Sequence, residues 1–156
     1  MTAPNVDAIV STAAFSLGLR CSEDEILAID YLEPRAEVAP KSLLAKEAVR
    51  QLRAYLKNAR FEFSLPLAPA GTAFQRRVWD GIATIPAGAT QSYGELAQAI
   101  GSGPRAVGNA CGANPYPLVV PCHRVVAAGG GLGGFARSRG GFLLDVKRWL
   151  LAHESR

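Results

Sequence analysis

Cysteine and histidine are scarce in this chain, three and two among 156 residues. Three is an odd number, and the spacing of Cys21, Cys111 and Cys122 is not that of a staple. A disulfide framework is therefore not expected, and a reducing compartment fits best. With Cys122 and His123 adjacent, zinc ligands are in short supply and no paired finger-type spacing occurs, so no structural metal is expected. No apolar run approaches the roughly 20 residues of a membrane span. The first residues carry no basic-then-apolar segment. These absences point to a cytoplasmic protein with no membrane partner.

Hydrophobic residues are plentiful at 49%, enough for a real core in one domain or two small ones. The net charge of +4 is unevenly spread. Residues 1–70 carry eight Lys/Arg against nine Asp/Glu, and residues 71–156 carry nine against four. The second portion is therefore the basic one. Such an excess fits a polyanionic partner, although a solvated surface explains it about as well.

Residues 8–12, 15–20 and 26–32 are short apolar stretches of strand character, the third following the acidic turn Ser22-Glu23-Asp24-Glu25. From Lys41 to Ala59 the period changes, and Leu44, Ala48, Leu52, Tyr55 and Leu56 fall on one helical face. A small antiparallel sheet with one packed helix is expected over residues 1–68, with Cys21 structural. Ala68-Pro69-Ala70-Gly71 reads as a linker into a second unit, residues 71–156.

Thr72 can cap a helix carrying Phe74, Val78, Ile82 and Ile85. Ser92-Tyr93-Gly94-Glu95 has the form of a capping box, and Pro104 suits the first position of the next helix. That helix, Arg105 to Ala113, is small-sided: Ala106, Gly108, Ala110 and Gly112 leave its backbone approachable. Two short helices about a Gly-bearing turn have the plan of a helix-turn-helix. Small residues equally permit close helix packing. Cys111, on this second helix, reads as core. Phe142–His153 is amphipathic, with Leu143, Val146, Trp149 and Leu150 on one side and Glu154 at its end.

Chemistry concentrates at Val120-Pro121-Cys122-His123-Arg124-Val125-Val126. A Pro stiffens the backbone, and a thiol stands directly before an imidazole and a guanidinium. Neighbouring cations lower a thiol's pKa from about 8.5. Downstream, Gly129, Gly131 and Gly134 satisfy the dinucleotide spacing G-x-G-x-x-G, but Gly140-Gly141 would break the helix that must follow, and no βαβ unit precedes. A mobile or tightly turned loop beside the site is expected there, and no cofactor.

These residues resemble the O6-alkylguanine-DNA alkyltransferases, the methylated-DNA–protein-cysteine methyltransferases. The similarity runs in order through residues 71–79, 85–88, 92–95, 105–108, Asn114-Pro115, Pro121-Cys122-His123-Arg124-Val125 and 147–154. Residues 1–70 resemble the family's N-terminal domain only loosely. The resemblance implies an α+β protein: a small N-terminal α/β domain with an antiparallel sheet, then a mostly α, winged helix-turn-helix domain carrying the active-site Cys.

It also implies a single-turnover methyltransferase that repairs DNA by moving the alkyl group of O6-alkylguanine, and of O4-alkylthymine, irreversibly to Cys122. His123 would be the base acting through a water, with Glu154 orienting it and Asn114 holding the active-site turn. Tyr93 would crowd the flanking phosphate and protonate the base. Arg105 would fill the space left by the flipped nucleotide, with Ala106, Gly108 and Arg124 also at the DNA. Val125, Phe135 and Ala136 would line the base pocket. The implied partner is double-stranded DNA bound through its minor groove, by a monomer, with cooperative assembly left open.

Three departures stand out: a short turn before Arg105, Phe135 where Tyr is common, and an insertion containing Arg137-Ser138-Arg139. A lesion sensor would lack the nucleophile. A Cys–His hydrolase would bring the two side chains from separate segments, whereas here they are neighbours.

Overall fold

The computed structural model describes residues 6–133 and 141–156. Phe135, Ala136 and the Arg137-Ser138-Arg139 insertion lie outside the described residues. The chain divides into two units, Met1–Pro69 and Ala70–Arg156.

In the first unit, β1 (Ala8–Ser11), β2 (Ser16–Cys21) and β3 (Ile26–Leu32) form an antiparallel sheet in that order. The register pairs Ile9 with Gly18 and Leu19 with Ile29, and slips once between Arg20 and Cys21. Ile9, Phe15, Leu17, Leu19, Ile26 and Ile29 are all buried. Helix α1 (Leu43–Lys57) starts where Ser42 accepts from the Ala45 amide, a cap that contributes about 1 kcal/mol. Its buried face is Ala45, Ala48, Val49, Gln51, Leu52 and Tyr55, turned slightly from the expected one, since Leu44 and Leu56 are only half-buried. The polar member is Gln51. Its Oε1 takes the Ser64 amide at 2.9 Å, so burial leaves that group satisfied.

The second unit is mainly helical: α2 (Ala73–Ala83), α3 (Tyr93–Ile100), α4 (Pro104–Gly112) and α5 (Phe142–Glu154). Thr72 and Ser92 both close capping boxes, with Gln75 and Glu95 reaching back. Pro104 opens α4. Gly71, at φ +81, could not carry a side chain, because a Cβ there would meet the Trp79 ring at 2.6 Å. Trp79 donates from Nε1 to the Ala110 carbonyl at 2.8 Å, tying α2 to α4 through the interior. The strands of this unit, β4 (Gln91–Ser92) and β5 (Val125–Val126), are two residues each and pair in parallel. No hairpin wing therefore forms among the described residues. The helix-rich α+β architecture is as the sequence led us to expect.

Helix α5 departs from its expected face. Leu144, Val146, Lys147, Leu150, His153 and Glu154 are buried, while Leu143 and Trp149 are half-exposed. Three titratable groups thus face inward, which an apolar-stripe reading cannot anticipate. Among the described residues no helix is long and apolar enough to cross a membrane.

Candidate active site

The turn that presents Cys122 is built from Asn114 onward. Asn114 accepts the Tyr116 amide on Oδ1 at 2.9 Å and donates from Nδ2 to the Val120 carbonyl at 2.9 Å. Leu118 is held at φ +76, a left-handed conformation that a non-glycine residue adopts only when its surroundings impose it. Pro121 then sits at φ −82, ψ 67, with the Cys122 amide donating to the Val120 carbonyl at 2.8 Å. That is an inverse γ-turn. A single 3-10 turn, Cys122–Arg124, follows and runs into β5.

The thiol of Cys122 is 5% exposed, yet its surroundings are polar. Asn114 Nδ2 donates to Sγ at 3.3 Å, and Cys111 of α4 shares a hydrogen bond with it. That bond and burial push the Cys122 thiol well above its ordinary range, against the opposing pull of Asn114 and Lys147. Two expectations change. Cys111 is half-buried and paired with the nucleophile candidate rather than lost in hydrocarbon. The imidazole and guanidinium beside Cys122 in sequence are both directed to Glu154, and neither contributes a charge that lowers the pKa of its thiol.

His123 is fully buried, and its Nε2 lies 2.6 Å from Glu154 Oε2. Burial, the largest influence, holds the imidazole below its ordinary pKa, so the ring is neutral near pH 7. A neutral ring facing a carboxylate donates Nε2–H, which leaves the lone pair on Nδ1. Nδ1 is buried and has no hydrogen-bond partner among the described residues. Arg124 binds the same carboxylate through Nε to Oε1 at 2.9 Å and Nη2 to Oε2 at 3.0 Å, and donates from Nη1 to the Ile85 carbonyl at 2.7 Å. A guanidinium forked onto a buried carboxylate is committed. The geometry thus gives Arg124 a clamp's place, where the sequence had suggested a DNA contact.

Around this core stand the remaining candidates. Tyr93, at the start of α3, is pushed up to about 12, chiefly by burial, and so keeps its phenolic proton. Gly133 stands against its ring: at φ +69, a Cβ there would lie 3.1 Å from Tyr93 Cε2. The glycine stretch is thus a tight loop beside the site at this point. Val125 is fully buried in β5. On α4, Val107 and Ala110 face inward, while Arg105 and Asn109 are exposed and Ala106 and Gly108 are partly open. A Cβ on Gly108 would meet nothing within 4 Å.

Sequence reading missed Lys147. It is fully buried, and its Nζ donates to the Val125 carbonyl at 2.8 Å and the Leu132 carbonyl at 2.6 Å. Only its place between Val146 and Trp149 on an otherwise inward helix face could have signalled it.

A buried thiol, a carboxylate-oriented imidazole and a small-sided helix on one unit define a thiol-bearing protein with an approachable helical surface. Residues 73–156 match the family model described as the 6-O-methylguanine DNA methyltransferase DNA-binding domain. A methylated-DNA–protein-cysteine methyltransferase of Mycolicibacterium paratuberculosis is 51% identical over 70% of this chain and 64% of its own length. One from Methanosarcina acetivorans is 46% identical over 70% of this chain and 68% of its own. The sequence matches thus span about two thirds of these relatives. The crystal structure of Mycobacterium tuberculosis OGT in complex with DNA superposes with a TM-score of 0.79 at 38% identity, covering 94% of this chain and 91% of that one. The chain belongs to the 6-O-methylguanine DNA methyltransferase family.

Proposed function

We propose that this protein repairs DNA by moving the alkyl group of O6-alkylguanine, and of O4-alkylthymine, to Cys122 in a single irreversible turnover. The observation that carries the reading is the hydrogen-bonded set Cys122, Asn114, His123, Glu154 and Arg124, in which a neutral imidazole keeps an unpaired lone pair on Nδ1. Such a base takes the thiol proton through one bridging water. The sulfur attacks the alkyl carbon as the carbon–O6 bond breaks, and the electron pair returns to the guanine ring. Tyr93, whose phenol burial keeps protonated at neutral pH, supplies the proton that makes guanine a neutral leaving group as negative charge develops on the base. The proton held at His123 then restores the tyrosine. The thioether left on Cys122 has no leaving group, so the protein is spent.

A thiol that is 5% exposed cannot reach a base inside a duplex, so the nucleotide is flipped out. In this reading residues 71–156 form the DNA-binding and transfer domain, α3 and α4 act as its helix-turn-helix, and α4 lies in the minor groove. Ala106 and Gly108 let its backbone approach, and Arg105 enters the stack. Val125 borders the base, as do Phe135 and Ala136. Arg124 acts by holding Glu154. The protein works as a monomer in the cytoplasm.

The test is the mass of the Cys122 peptide after mixing with duplex DNA containing O6-methylguanine. One methylene is gained if the reading holds, and Cys122→Ala gains nothing while still binding DNA. An unchanged wild-type mass discards it in favour of a lesion sensor.

A further inference from the structure

Lys147 is the one buried lysine, the other three (Lys41, Lys46 and Lys57) being exposed. Taking an ammonium out of water costs several kcal/mol unless partners compensate, and a hydrocarbon side chain of α5 would fill the same space more cheaply. Its partners are therefore informative. Two are carbonyls, Val125 in β5 and Leu132 in the glycine loop, on opposite sides of the bend at residues 127–131. That bend is closed by the Ala127 amide donating to the Gly131 carbonyl at 2.8 Å. The Tyr93 ring lies with its centroid 5.8 Å from Nζ, within cation–π range.

The titratable groups that feel the ammonium are Cys111 on α4, Cys122 and His123 on the 3-10 turn, and Tyr93 on α3. Carbonyl oxygens are neutral. The acid that becomes anionic beside Nζ in the proposed transfer is the Cys122 thiol.

We propose that Lys147 is a positioning residue of the alkyl transfer, its ammonium fixing the Val125 and Leu132 carbonyls and setting a positive charge beside the Cys111–Cys122 thiol pair at neutral pH. This inference rests on the transfer reading given above. The charge acts on the sulfur before attack, since thiol and thiolate differ by one negative charge that the ammonium stabilises. The Val125 carbonyl, with one lone pair taken by Nζ, keeps the other in a fixed direction for a donor on the extruded base. Neighbours also respond to the thiols. Burial brings Lys147 down to about 8, and Cys111 and Cys122 pull in the opposite direction. At neutral pH the cation is retained.

Lys147→Met and Lys147→Arg separate charge from packing. Two reactions of the folded proteins are followed by fragment-ion mass spectrometry that resolves Cys122 from Cys111. One is methyl uptake from duplex O6-methylguanine. The other is alkylation by iodoacetamide, which needs no base pocket, across the pH range from neutral to alkaline. Lys147→Met is expected to slow both, with its iodoacetamide profile displaced to higher pH by about one unit, a tenfold loss of thiolate at neutral pH. Lys147→Arg is expected to recover the iodoacetamide profile. If Lys147→Met slows methyl uptake while leaving that profile unmoved, the lysine only holds carbonyls and the proposal fails. It also fails if both rates match wild type.

Should Lys147→Met not fold, ammonium NMR of 15N-lysine-labelled wild type decides. The slowly exchanging Nζ resonance must shift as Cys122 titrates and lose that response once Cys122 is methylated, and a resonance indifferent to Cys122 overturns the proposal. Wild-type protein that takes up no methyl at all would instead bring down the transfer reading itself.

Discussion

Polar groups in the first unit stay near water, whereas the second unit takes charge into its interior. In residues 6–69 the buried polar side chains are Ser16 and Gln51, both neutral and both hydrogen-bonded. The ion pairs there, Arg50 with Glu47 and Arg53 with Glu37, lie on the surface. In the second unit His123, Lys147 and Glu154 are at most 1% exposed. Buried ion pairs are poor sources of stability, because well-packed hydrocarbon of the same volume often does as well or better. A unit that keeps three such groups around one thiol is shaped by chemistry, and perturbed titration in a buried cluster is where reactive sites are found. The first unit, with the ordinary division of polar outside and apolar inside, shows what this chain does where no chemistry is at stake.

Removing one charge from each unit tests that contrast most severely. Glu154→Gln leaves the Arg124 guanidinium and the His123 ring around a neutral amide. Breaking a buried pair in this way costs about 3–5 kcal/mol, and loss of the carboxylate behind the imidazole should slow methyl uptake about 10²-fold or more. Glu37→Gln in the first unit should change neither stability nor uptake measurably, since its Arg53 pair is solvent-exposed. Denaturant unfolding can be followed by unit. Trp79 and Trp149 both belong to the second, and the first contains no tryptophan. Equal losses from the two substitutions would erase the distinction.

Exposed charge in the second unit is a different matter, and Arg105 sharpens the comparison. Arg105→Ala should leave folding unchanged and slow repair of duplex lesions by about 10- to 100-fold, the equivalent of a few kcal/mol of unstacking no longer compensated. Reaction with free O6-alkylguanine base should proceed as in wild type. Equal slowing of both substrates would remove Arg105 from base flipping.

What the sequence revealed follows the range of the forces involved. Helix starts at Thr72, Ser92 and Pro104 were legible because a cap is a contact over three residues, and the three strands of the first unit because a short apolar run bounded by turns is local. Asn114 and Cys122 were legible as a turn and a thiol. The direction of a long side chain was not. The resemblance placed Arg124 at the DNA, and no local pattern announces that Glu154, 30 residues away, is brought beneath it. Lys147 reads as the polar side of an amphipathic helix until two carbonyls from other segments receive it. Cys111 reads as one small residue in a row of them, because its partner lies on another element. Each miss is a polar group whose partner is distant in the chain, and pattern carries no information about that.

The smallest expected effect concerns protons. His123 and His153 are the only histidines, so the first unit has none. Burial depresses the folded pKa of His123 below the ordinary 6.5. The unfolded chain therefore binds a proton, as pH falls through that value, which the folded state refuses. Stability from this group is full above about pH 6.5 and declines as pH falls toward the folded value, with a slope no steeper than about 1.4 kcal/mol per pH unit. Tryptophan-detected unfolding between pH 7.5 and the onset of carboxylate titration should show this slope, and His123→Gln should flatten it. The same depression keeps Nδ1 unprotonated, so methyl uptake from free base should persist to lower pH than an ordinary histidine base allows. A wild-type acid limb centred at or above the ordinary histidine value would mean that the imidazole is hydrated in solution. The contrast between a wet first surface and a dry second interior would then fail at the residue on which it most depends.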